Sequence, residues 1–298
     1  MSFDVLVINA NPLLNVVHPG SFEVGAINRV AGLEIHAEGK GVNVARLLSR
    51  LGHRVILTGF AGGHSGAWLR DLIRAEGIED AFIETRAPVR MGFMASCGSQ
   101  DHPTTVLANG FVVTTGECAA LRARVAGLLP RVKLAILSGS VPDPLANDVY
   151  AGILTDCRAA GVEGWLDAHG EALTRALAGD CPPALAKPNR EEYEQSPDWS
   201  RVQELHITDG GGRAEIRISN RPVWEVTPPA IQQVNPVGSG DCYLAGLAHG
   251  WLCDWPLEER LRLAAAAGAA NALRQDVAMI TPADIEPLRA EVGLRRLD

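Results

Sequence analysis

The chain has 298 residues, of which 47% are hydrophobic and 21% are charged, and its formal net charge is -8. This composition is typical of a globular protein with a full core, and the length suits one large α/β unit with a small appendage. The acidic balance argues against a nucleic-acid surface, although a few local Lys and Arg residues can still bind an anionic substrate. No apolar run reaches the roughly 18 residues of a membrane span.

The beginning of the chain has no basic, apolar pattern of a signal peptide, and the six cysteines have no CxxC spacing. We expect no histidine partner for these cysteines at metal-binding intervals. We therefore interpret them as reduced, mostly buried thiols of a cytoplasmic protein.

The first part of the chain predicts strands at 5–9 and 55–59, with helices that begin near residue 40 and at residue 65. Residues 16–36 and 86–115 alternate between polar and apolar side chains without a helical period, with turn residues at 98–101. These two regions predict a small sheet that stands off the main body.

The second part alternates between strands and helices. Strands are predicted at 134–137, 164–166 and 184–186, helices at 148–160 and 171–178, a hairpin at 214–219 and 222–226, and a last long helix at 257–274. Such alternation implies a parallel sheet covered by helices on both faces, with ligands outside the carboxyl ends of its strands.

The segment Asn235-Pro236-Val237-Gly238-Ser239-Gly240-Asp241-Cys242 is a glycine-rich turn before an apolar helix, which should begin at residue 240 or 241 and end before Pro256. Unpaired N–H groups and the positive end of the helix dipole would then face one small volume that suits a phosphate. Asp241 would be a base beside this anion hole, and the dipole should keep it ionised at neutral pH. The alternative is an ordinary turn in which Asp241 is only a helix N-cap.

Two motifs together resemble the PfkB, or ribokinase-like, family of carbohydrate kinases. Gly39-Lys40-Gly41-Val42-Asn43-Val44-Ala45 resembles the N-terminal GGKGxNxA segment, with Glu38 in place of its leading glycine. Val237-Gly238-Ser239-Gly240-Asp241 resembles the GAGD signature. The resemblance implies a single α/β unit over 1–298, with helices on both faces of a parallel sheet and a β-lid formed by about 12–37 and 86–115, which commonly makes a homodimer contact.

Three further segments resemble the branch that phosphorylates sugar phosphates, such as 1-phosphofructokinase and tagatose-6-phosphate kinase. They are Asn11-Pro12, the segment from Leu137 to Pro142, and Lys187-Pro188-Asn189-Arg190-Glu191-Glu192. The resemblance therefore implies ATP and Mg²⁺ as cofactors and a sugar phosphate as the small-molecule partner.

The resemblance also implies roles for individual residues. It makes Asp241 the base, with Gly238, Ser239 and Gly240 as the anion hole; Asn189 and Glu192 would hold Mg²⁺. The nucleotide would contact Lys187, Asn189, Thr208, Gly210, Gly211 and Asn271, and the sugar phosphate would contact Asn11, Asn15, Gly39, Lys40, Gly41, Asn43, Arg90 and Ser138.

Several of these assignments have structural alternatives. Glu192 fits a surface helix, Lys187 a solvated strand end, and Arg90 a solvated position on the lid. Ser138 fits a turn cap, and a neighbouring loop could satisfy Asn271 as well as a ligand could.

Besides Glu38, three positions depart from the family pattern. Asn15 replaces a sugar-binding aspartate, Arg213 replaces a glycine of the nucleotide loop, and Asp209 replaces an apolar residue. Two other functions therefore stay open: a kinase of an unphosphorylated sugar or nucleoside, and a non-catalytic sugar-phosphate-binding module.

Overall fold

A computed structural model describes residues 3–18, 20–95, 103–195 and 198–297. The strands are β1 (Val5–Asn9), β2 (Leu13–His18), β3 (Glu34–Glu38), β4 (Val55–Gly59), β5 (Glu79–Asp80), β6 (Arg90–Ala95), β7 (Thr104–Leu107), β8 (Leu134–Ser138), β9 (Glu163–Asp167), β10 (Leu185–Ala186), β11 (Glu204–Ile207), β12 (Ala214–Ile218), β13 (Arg221–Thr227) and β14 (Gly293–Arg296). The helices are α1 (Lys40–Arg50), α2 (Gly63–Ala75), α3 (Thr115–Leu128), α4 (Val149–Ala160), α5 (Gly170–Ala178), α6 (Arg190–Gln195), α7 (Ser239–Leu252), α8 (Leu257–Ala272) and α9 (Pro282–Arg289).

The larger sheet has the strand order β14-β13-β12-β11-β10-β9-β8-β1-β4-β5. From β5 to β11 all neighbouring strands are parallel, whereas β12, β13 and β14 are antiparallel. The predicted parallel sheet is therefore a mixed sheet. The reason is the length of the connections: a tight turn through Ser219 and Asn220, both with positive φ, joins β12 to β13, and so short a turn can join only antiparallel strands.

The hydrophobic core lies on both faces of this sheet. Strand β1 is fully buried, and its residues alternate between the two sides. Val5 and Val7 pack with α1, α2, α7 and α8, whereas Leu6 and Ile8 pack with α3, α4 and α5. This alternation is the period-two pattern of a central strand covered by helices on both faces.

The smaller sheet has the order β3-β2-β6-β7 and confirms the predicted separate sheet. Its strands lie in the two predicted lid regions, although most of the segment between β2 and β3 is not a strand. The turn predicted at 98–101 lies outside the described residues.

Other predicted elements agree with the structure to within two residues, including the start of α7 and the end of α8. Helices α3, α6 and α9 were not predicted. Of these, α3 had a signal in the sequence, because Thr114 and Glu117 form a capping box at its start. Within the described ranges, no helix is long and apolar enough to cross a membrane.

Polar side chains lie at the carboxyl ends of several parallel strands of the larger sheet. Asn9, Ser138 and Asp167 end β1, β8 and β9, and Lys187 directly follows β10. Because these strands are parallel neighbours, their carboxyl ends meet at the same edge. The candidate site lies there.

Candidate active site

The start of α7 presents free backbone N–H groups to a cleft. Gly238 is the N-cap, with a left-handed φ of 83°, and a Cβ on it would lie 2.6 Å from Val277 Cγ1. The amide of Ser239 is used in a turn to the Pro236 carbonyl at 3.1 Å. Within the described chain, the amides of Gly238, Gly240 and Asp241 have no hydrogen-bond partner. This arrangement has the donor geometry of an anion site at a helix N-terminus.

Asn271 supports this turn from behind. Its amide donates to the Val237 carbonyl at 2.8 Å and to Ser239 Oγ at 3.0 Å, and its oxygen accepts from Ala278 N at 2.7 Å. The side chain is fully buried and does not line the cleft. The structure therefore places Asn271 against the loop that shapes the anion site rather than in the space for a nucleotide.

Asp241 lies in the first turn of α7, only 6% exposed, and lines the cleft beside the free amides. Among the described residues its carboxylate has one hydrogen bond, from Asn43 Nδ2 to Oδ2 at 2.8 Å. Burial raises the pKa of Asp241 to about 7, and the Asp167 carboxylate adds to this rise against the opposing Lys40, Asn43 and Lys187. The expectation that the helix dipole keeps Asp241 fully ionised at neutral pH was therefore wrong, because desolvation outweighs it.

Arg46 fixes the orientation of Asn43. Its guanidinium donates to Asn43 Oδ1 at 3.2 Å, so the Asn43 amide nitrogen faces Asp241. Arg46 is 1% exposed and also donates to Glu76 and to the carbonyls of Ala37 and Val277. Sequence reasoning missed Arg46, although its position three residues after Asn43 places both on one face of α1.

Two lysines meet at a buried carboxylate that sequence reasoning also missed. Asp167 Oδ1 lies 3.1 Å from Lys40 Nζ, and Asp167 Oδ2 lies 3.3 Å from Lys187 Nζ. Burial alone would raise the pKa of Asp167, but Lys187 and Lys40 outweigh it and hold the pKa below its ordinary value. Burial alone would lower the pKa of Lys40, but the carboxylates of Asp167, Glu192 and Asp241 outweigh burial and raise the pKa above its ordinary value. Asp167 and Lys40 are therefore both charged at neutral pH.

Lys187 reaches the anion site directly. It is 4% exposed, and a Cβ added to Gly240 would lie 3.3 Å from its ammonium nitrogen. The structure thus places a positive charge beside the free amides at the start of α7. The alternative of a solvated lysine at a strand end does not fit this burial.

Asn189 and Glu192 cap each other at the start of α6. The Asn189 amide donates to Glu192 Oε2 at 2.9 Å, and the Glu192 amide donates to Asn189 Oδ1 at 2.7 Å. This reciprocal pair has the geometry of a capping box. Glu192 Oε1 is not used in the cap, and it lies 3.7 Å from Lys40 Nζ. Both side chains line the cleft.

Gly39 and Gly41 make room for a protein side chain. A Cβ on Gly39 would lie 2.7 Å from Asn9 Oδ1, and one on Gly41 would lie 2.6 Å from Asn9 Cβ. Asn9 Oδ1 accepts from the Val42 amide at 3.1 Å and so caps the start of α1. The close approach that these glycines permit is therefore occupied by Asn9, which was not predicted as a site residue.

Two predicted substrate residues lie at the lid. Asn15 Nδ2 donates to Glu38 Oε2 at 2.9 Å, and its buried Oδ1 has no partner within the described ranges. Burial raises the pKa of Glu38. The Arg90 guanidinium donates to the backbone carbonyls of Asn11, Pro12 and Ala108 at 3.0–3.4 Å. Both Asn15 and Arg90 line the cleft. The hydrogen bonds of Arg90, however, join β6 to the backbone before β2 and after β7.

Asn11 and Ser138 lie outside the cleft lining. Asn11 is buried, and its amide donates to the Asn109 carbonyl at 3.2 Å and to Ser140 Oγ at 3.0 Å. Ser138 is fully buried at the end of β8, and its hydroxyl has no partner among the described residues. The structure does not bring these two side chains together with the other predicted residues.

Apart from Gly41 and Asn271, the remaining predicted residues line one continuous cleft of about 1000 Å³. At one end it is lined by the lid residues Leu13, Asn15, Arg90, Met94 and Leu107. At the other end it is lined by residues 208–212 and 226–231 and by the helix residues Ala265, Ala269 and Ala272. The anion site and Asp241 line the same cleft, so one space borders the lid residues, the anion site and the alanines of α8.

Comparisons with known proteins agree with this geometry. The model of the pfkB family carbohydrate kinases matches residues 14–284. The chain belongs to this family. It is therefore a phosphotransferase that acts on an alcohol group.

Relatives and solved structures match over nearly the whole chain. Tagatose-6-phosphate kinase of Staphylococcus epidermidis is 30% identical over 93% of this chain and 94% of its own length. The 1-phosphofructokinase of Bacillus subtilis is 29% identical over 98% of this chain and its own full length. The structure of phosphofructokinase-2 from Escherichia coli in complex with potassium superposes with a TM-score of 0.85 at 20% identity, covering 97% and 98% of the two chains. This last similarity shows the ribokinase-like fold.

Two of the departures from the pfkB pattern, Asp209 and Arg213, lie in the loop between β11 and β12. Arg213 is exposed and pairs with Glu225 at 3.3 Å across the hairpin, so its side chain does not enter the cleft. Thr208, Asp209, Gly210 and Gly211 do line the cleft. The loop 208–211 therefore borders the cleft even though Asp209 and Arg213 differ from the family pattern.

Proposed function

We propose that this pfkB family member is an ATP- and Mg²⁺-dependent kinase of a sugar phosphate. Two relatives that match nearly the whole chain are named tagatose-6-phosphate kinase and 1-phosphofructokinase. The observation that carries the proposal is that Asp241, with a pKa near 7, lies in the same cleft as the free amides of Gly238 and Gly240. These two parts are what phosphoryl transfer to a hydroxyl needs.

Asp241 is the proposed base. Asn43 occupies Oδ2, which leaves Oδ1 to accept the proton of the sugar hydroxyl. The hydroxyl oxygen forms the new bond to the γ-phosphorus, the bond to the bridging oxygen breaks, and ADP leaves with that electron pair. A base with a pKa near the working pH is well suited to accept this proton.

The anion site is proposed to stabilise the transferring phosphoryl group. The N–H groups at the start of α7 need not reorganise, because Asn271 and the left-handed Gly238 already fix the turn. Lys187 adds a positive charge at the same place.

The described residues fit a bound Mg²⁺. Glu192 Oε1 is free of the helix cap and faces the cleft beside Lys40, and carboxylate oxygens are the ligands that Mg²⁺ prefers. Asn189 would contribute through its position rather than through a free oxygen, because its Oδ1 accepts from the Glu192 amide. When bound, the ion would neutralise charge on the nucleotide phosphates.

The two ends of the cleft suggest where the substrates bind. The end lined by Ala265, Ala269 and Ala272 is apolar and offers a flat surface for a nucleobase, with Gly210 and Gly211 beside it. The lid end carries Asn15 and Arg90, which suit hydroxyl and phosphate groups. Since both sheets line this cleft, we infer that they work as one catalytic unit.

A kinase of an unphosphorylated sugar is a second candidate. Arg90 donates to four backbone carbonyls, and Lys40 pairs with Asp167 and Glu192. Neither predicted phosphate ligand is therefore free of protein partners, which favours a substrate without its own phosphate.

We also propose a homodimer that pairs through the lid. Val106 and Met91 on its strands are 64% and 47% exposed, which is unusual for large apolar side chains unless a partner covers them. Sedimentation of the purified chain at micromolar concentration tests this, and a monomer would contradict it.

A kinase assay over matched substrates tests the proposed function. The panel pairs tagatose 6-phosphate, fructose 1-phosphate and fructose 6-phosphate with the corresponding free sugars, and adds adenosine, with Asp241→Asn as the control. Turnover of a phosphorylated sugar at the highest kcat/KM supports the proposal. Turnover of only free sugars or adenosine supports the second candidate, and ATP binding without any turnover would indicate a binding module.

A further inference from the structure

A second cluster of ligand-type side chains lies at the far end of α7 from the anion site. His249 is in its last turn, Cys253 follows its last residue, and His53 precedes β4 at the amino end of that strand. The helix has 14 residues, so it separates this cluster from the catalytic cleft by about 20 Å. None of the three side chains lines that cleft.

The three side chains converge within bonding range of one ion. One ligand atom from each residue lies within 4.8 Å of the others. His53 Nε2 lies 2.9 Å from His249 Nδ1, and Cys253 Sγ lies 3.9 Å from His249 Nε2. In a tetrahedral zinc site, bond lengths of about 2.0 Å to nitrogen and 2.3 Å to sulfur place neighbouring ligand atoms about 3.5 Å apart. The two short contacts involve different nitrogens of His249, so the His249 ring would have to rotate to present one nitrogen to an ion shared with His53 and Cys253.

Asp4 occupies the position of an outer carboxylate. Its Oδ2 lies 3.9 Å from His53 Nδ1 and accepts from the Arg54 amide at 2.9 Å. At this distance the carboxylate makes no hydrogen bond to Nδ1, so it would have to move closer to fix the tautomer of a metal-bound His53. Nδ1 is the His53 nitrogen on the side of Asp4, and Nε2 is the one that faces His249.

We propose that His53, His249 and Cys253 bind a zinc-class divalent ion, with a water molecule in the fourth position and Asp4 as the outer carboxylate. Two imidazoles and a thiolate select this class over Mg²⁺, which requires oxygen ligands. The site is thus distinct in place and chemistry from the proposed Mg²⁺ site. We expected no histidine partner for the cysteines, but His249 and Cys253 are four residues apart at the end of one helix.

Cobalt binding provides the test, because Co²⁺ bound to a thiolate absorbs by charge transfer. We expect the nucleotide-free protein to take up one Co²⁺ with this band and to lose the band when one equivalent of Zn²⁺ is added. Cys253→Ser should abolish the band and weaken Zn²⁺ binding at least about a hundredfold. Cys118→Ser is the matched control, since Cys118 is half-buried on α3, and it should leave both unchanged.

A second variant separates ligation from general damage. His249→Gln removes an imidazole but keeps a polar side chain, and it should weaken Zn²⁺ binding by a similar factor while kinase activity with Mg²⁺ stays unchanged. The proposal is overturned if the wild-type protein shows no thiolate band. It is also overturned if the band persists in Cys253→Ser, or if excess Mg²⁺ displaces the bound Co²⁺.

Discussion

The substitution Asp241→Asn should stabilise the folded protein while it removes activity. Asp241 is buried, and burial raises its pKa from 3.8 to about 7. Holding it ionised in the folded state therefore costs at most about 4 kcal/mol relative to a neutral side chain. The asparagine side chain would carry no charge, and its oxygen could still accept the hydrogen bond from Asn43.

The stabilisation must depend on pH with a definite sign. Below about pH 4 the carboxyl is protonated in both folded and unfolded chains, so the charge contributes no difference. Between about pH 4 and pH 7 only the unfolded chain loses the proton, so the stability of the wild-type protein falls as the pH rises. Above pH 7 both states are ionised and the difference is constant. The advantage of Asp241→Asn should thus grow by about 2–3 kcal/mol from pH 5 to pH 8.

Urea denaturation at pH 5 and pH 8, combined with kinase assays, measures both effects. We expect kcat to fall at least about a hundredfold, the usual scale for loss of a general base. Asp71→Asn is the control, because Asp71 is exposed in a surface ion pair and its loss should change stability by less than about 1 kcal/mol. If Asp241→Asn is less stable than wild type at pH 8, or keeps activity within tenfold, Asp241 is a structural cap and the reasoning fails.

Three other predictions concern the turn at Gly238, the position of Asn43 beside Arg46, and the ionisation of Asp241. Gly238→Ala should lower the free energy of unfolding by about 1–3 kcal/mol because of its left-handed backbone alone. It should also lower kcat, because the added Cβ would meet Val277 and shift the turn. In the same thermal melts the control Gly127→Ala, which lies in open space on α3, should be neutral or stabilising. Arg46→Met should lower the free energy of unfolding in urea titrations by about 3 kcal/mol and lower kcat through Asn43. Arg175→Met, which removes ion pairs to the exposed Asp148 and Glu171, should lower it by less than about 1 kcal/mol. For the wild-type protein, kcat/KM should fall about tenfold per pH unit below pH 7, because Asp241 must be ionised to accept a proton; a profile that stays flat to pH 5 would contradict this.

The sequence predicted those parts of the fold that follow from local patterns. Strand β1 is a short apolar run between polar residues, and α7 follows a glycine turn with apolar residues at helical spacing. The hairpin of β12 and β13 was predicted, but its antiparallel pairing with β11 and β14 at the edge of the larger sheet was not, because the pattern inside a strand does not say which strand it pairs with. Helix α3 was missed because few of its side chains are buried, which weakens the apolar periodicity.

The sequence predicted the motif residues of the candidate site, but not the buried residues that hold their side chains in position. Asp241 and the anion-site glycines stand in a continuous segment, so their proximity needs no knowledge of the fold. Asp167 and Arg46 act through residues far apart in the chain, since Asp167 joins Lys40 to Lys187 and Arg46 reaches Ala37, Glu76 and Val277. No spacing rule brings such residues together before the sheet order is known.

The charges in the cleft connect the base to the phosphates. Around Asp241, the carboxylates of Asp167, Glu192 and Asp241 lie near the ammonium groups of Lys40 and Lys187, so this cluster of five side chains has a formal net charge of -1 when all of them are ionised. Two phosphorylated substrates add further negative charge, which favours protonation of Asp241 and so opposes its role as a base. A divalent cation at the phosphates would offset that charge and keep the carboxylate available. The balance of charges around Asp241 is therefore a second argument for the proposed Mg²⁺, independent of any contact that the ion would make.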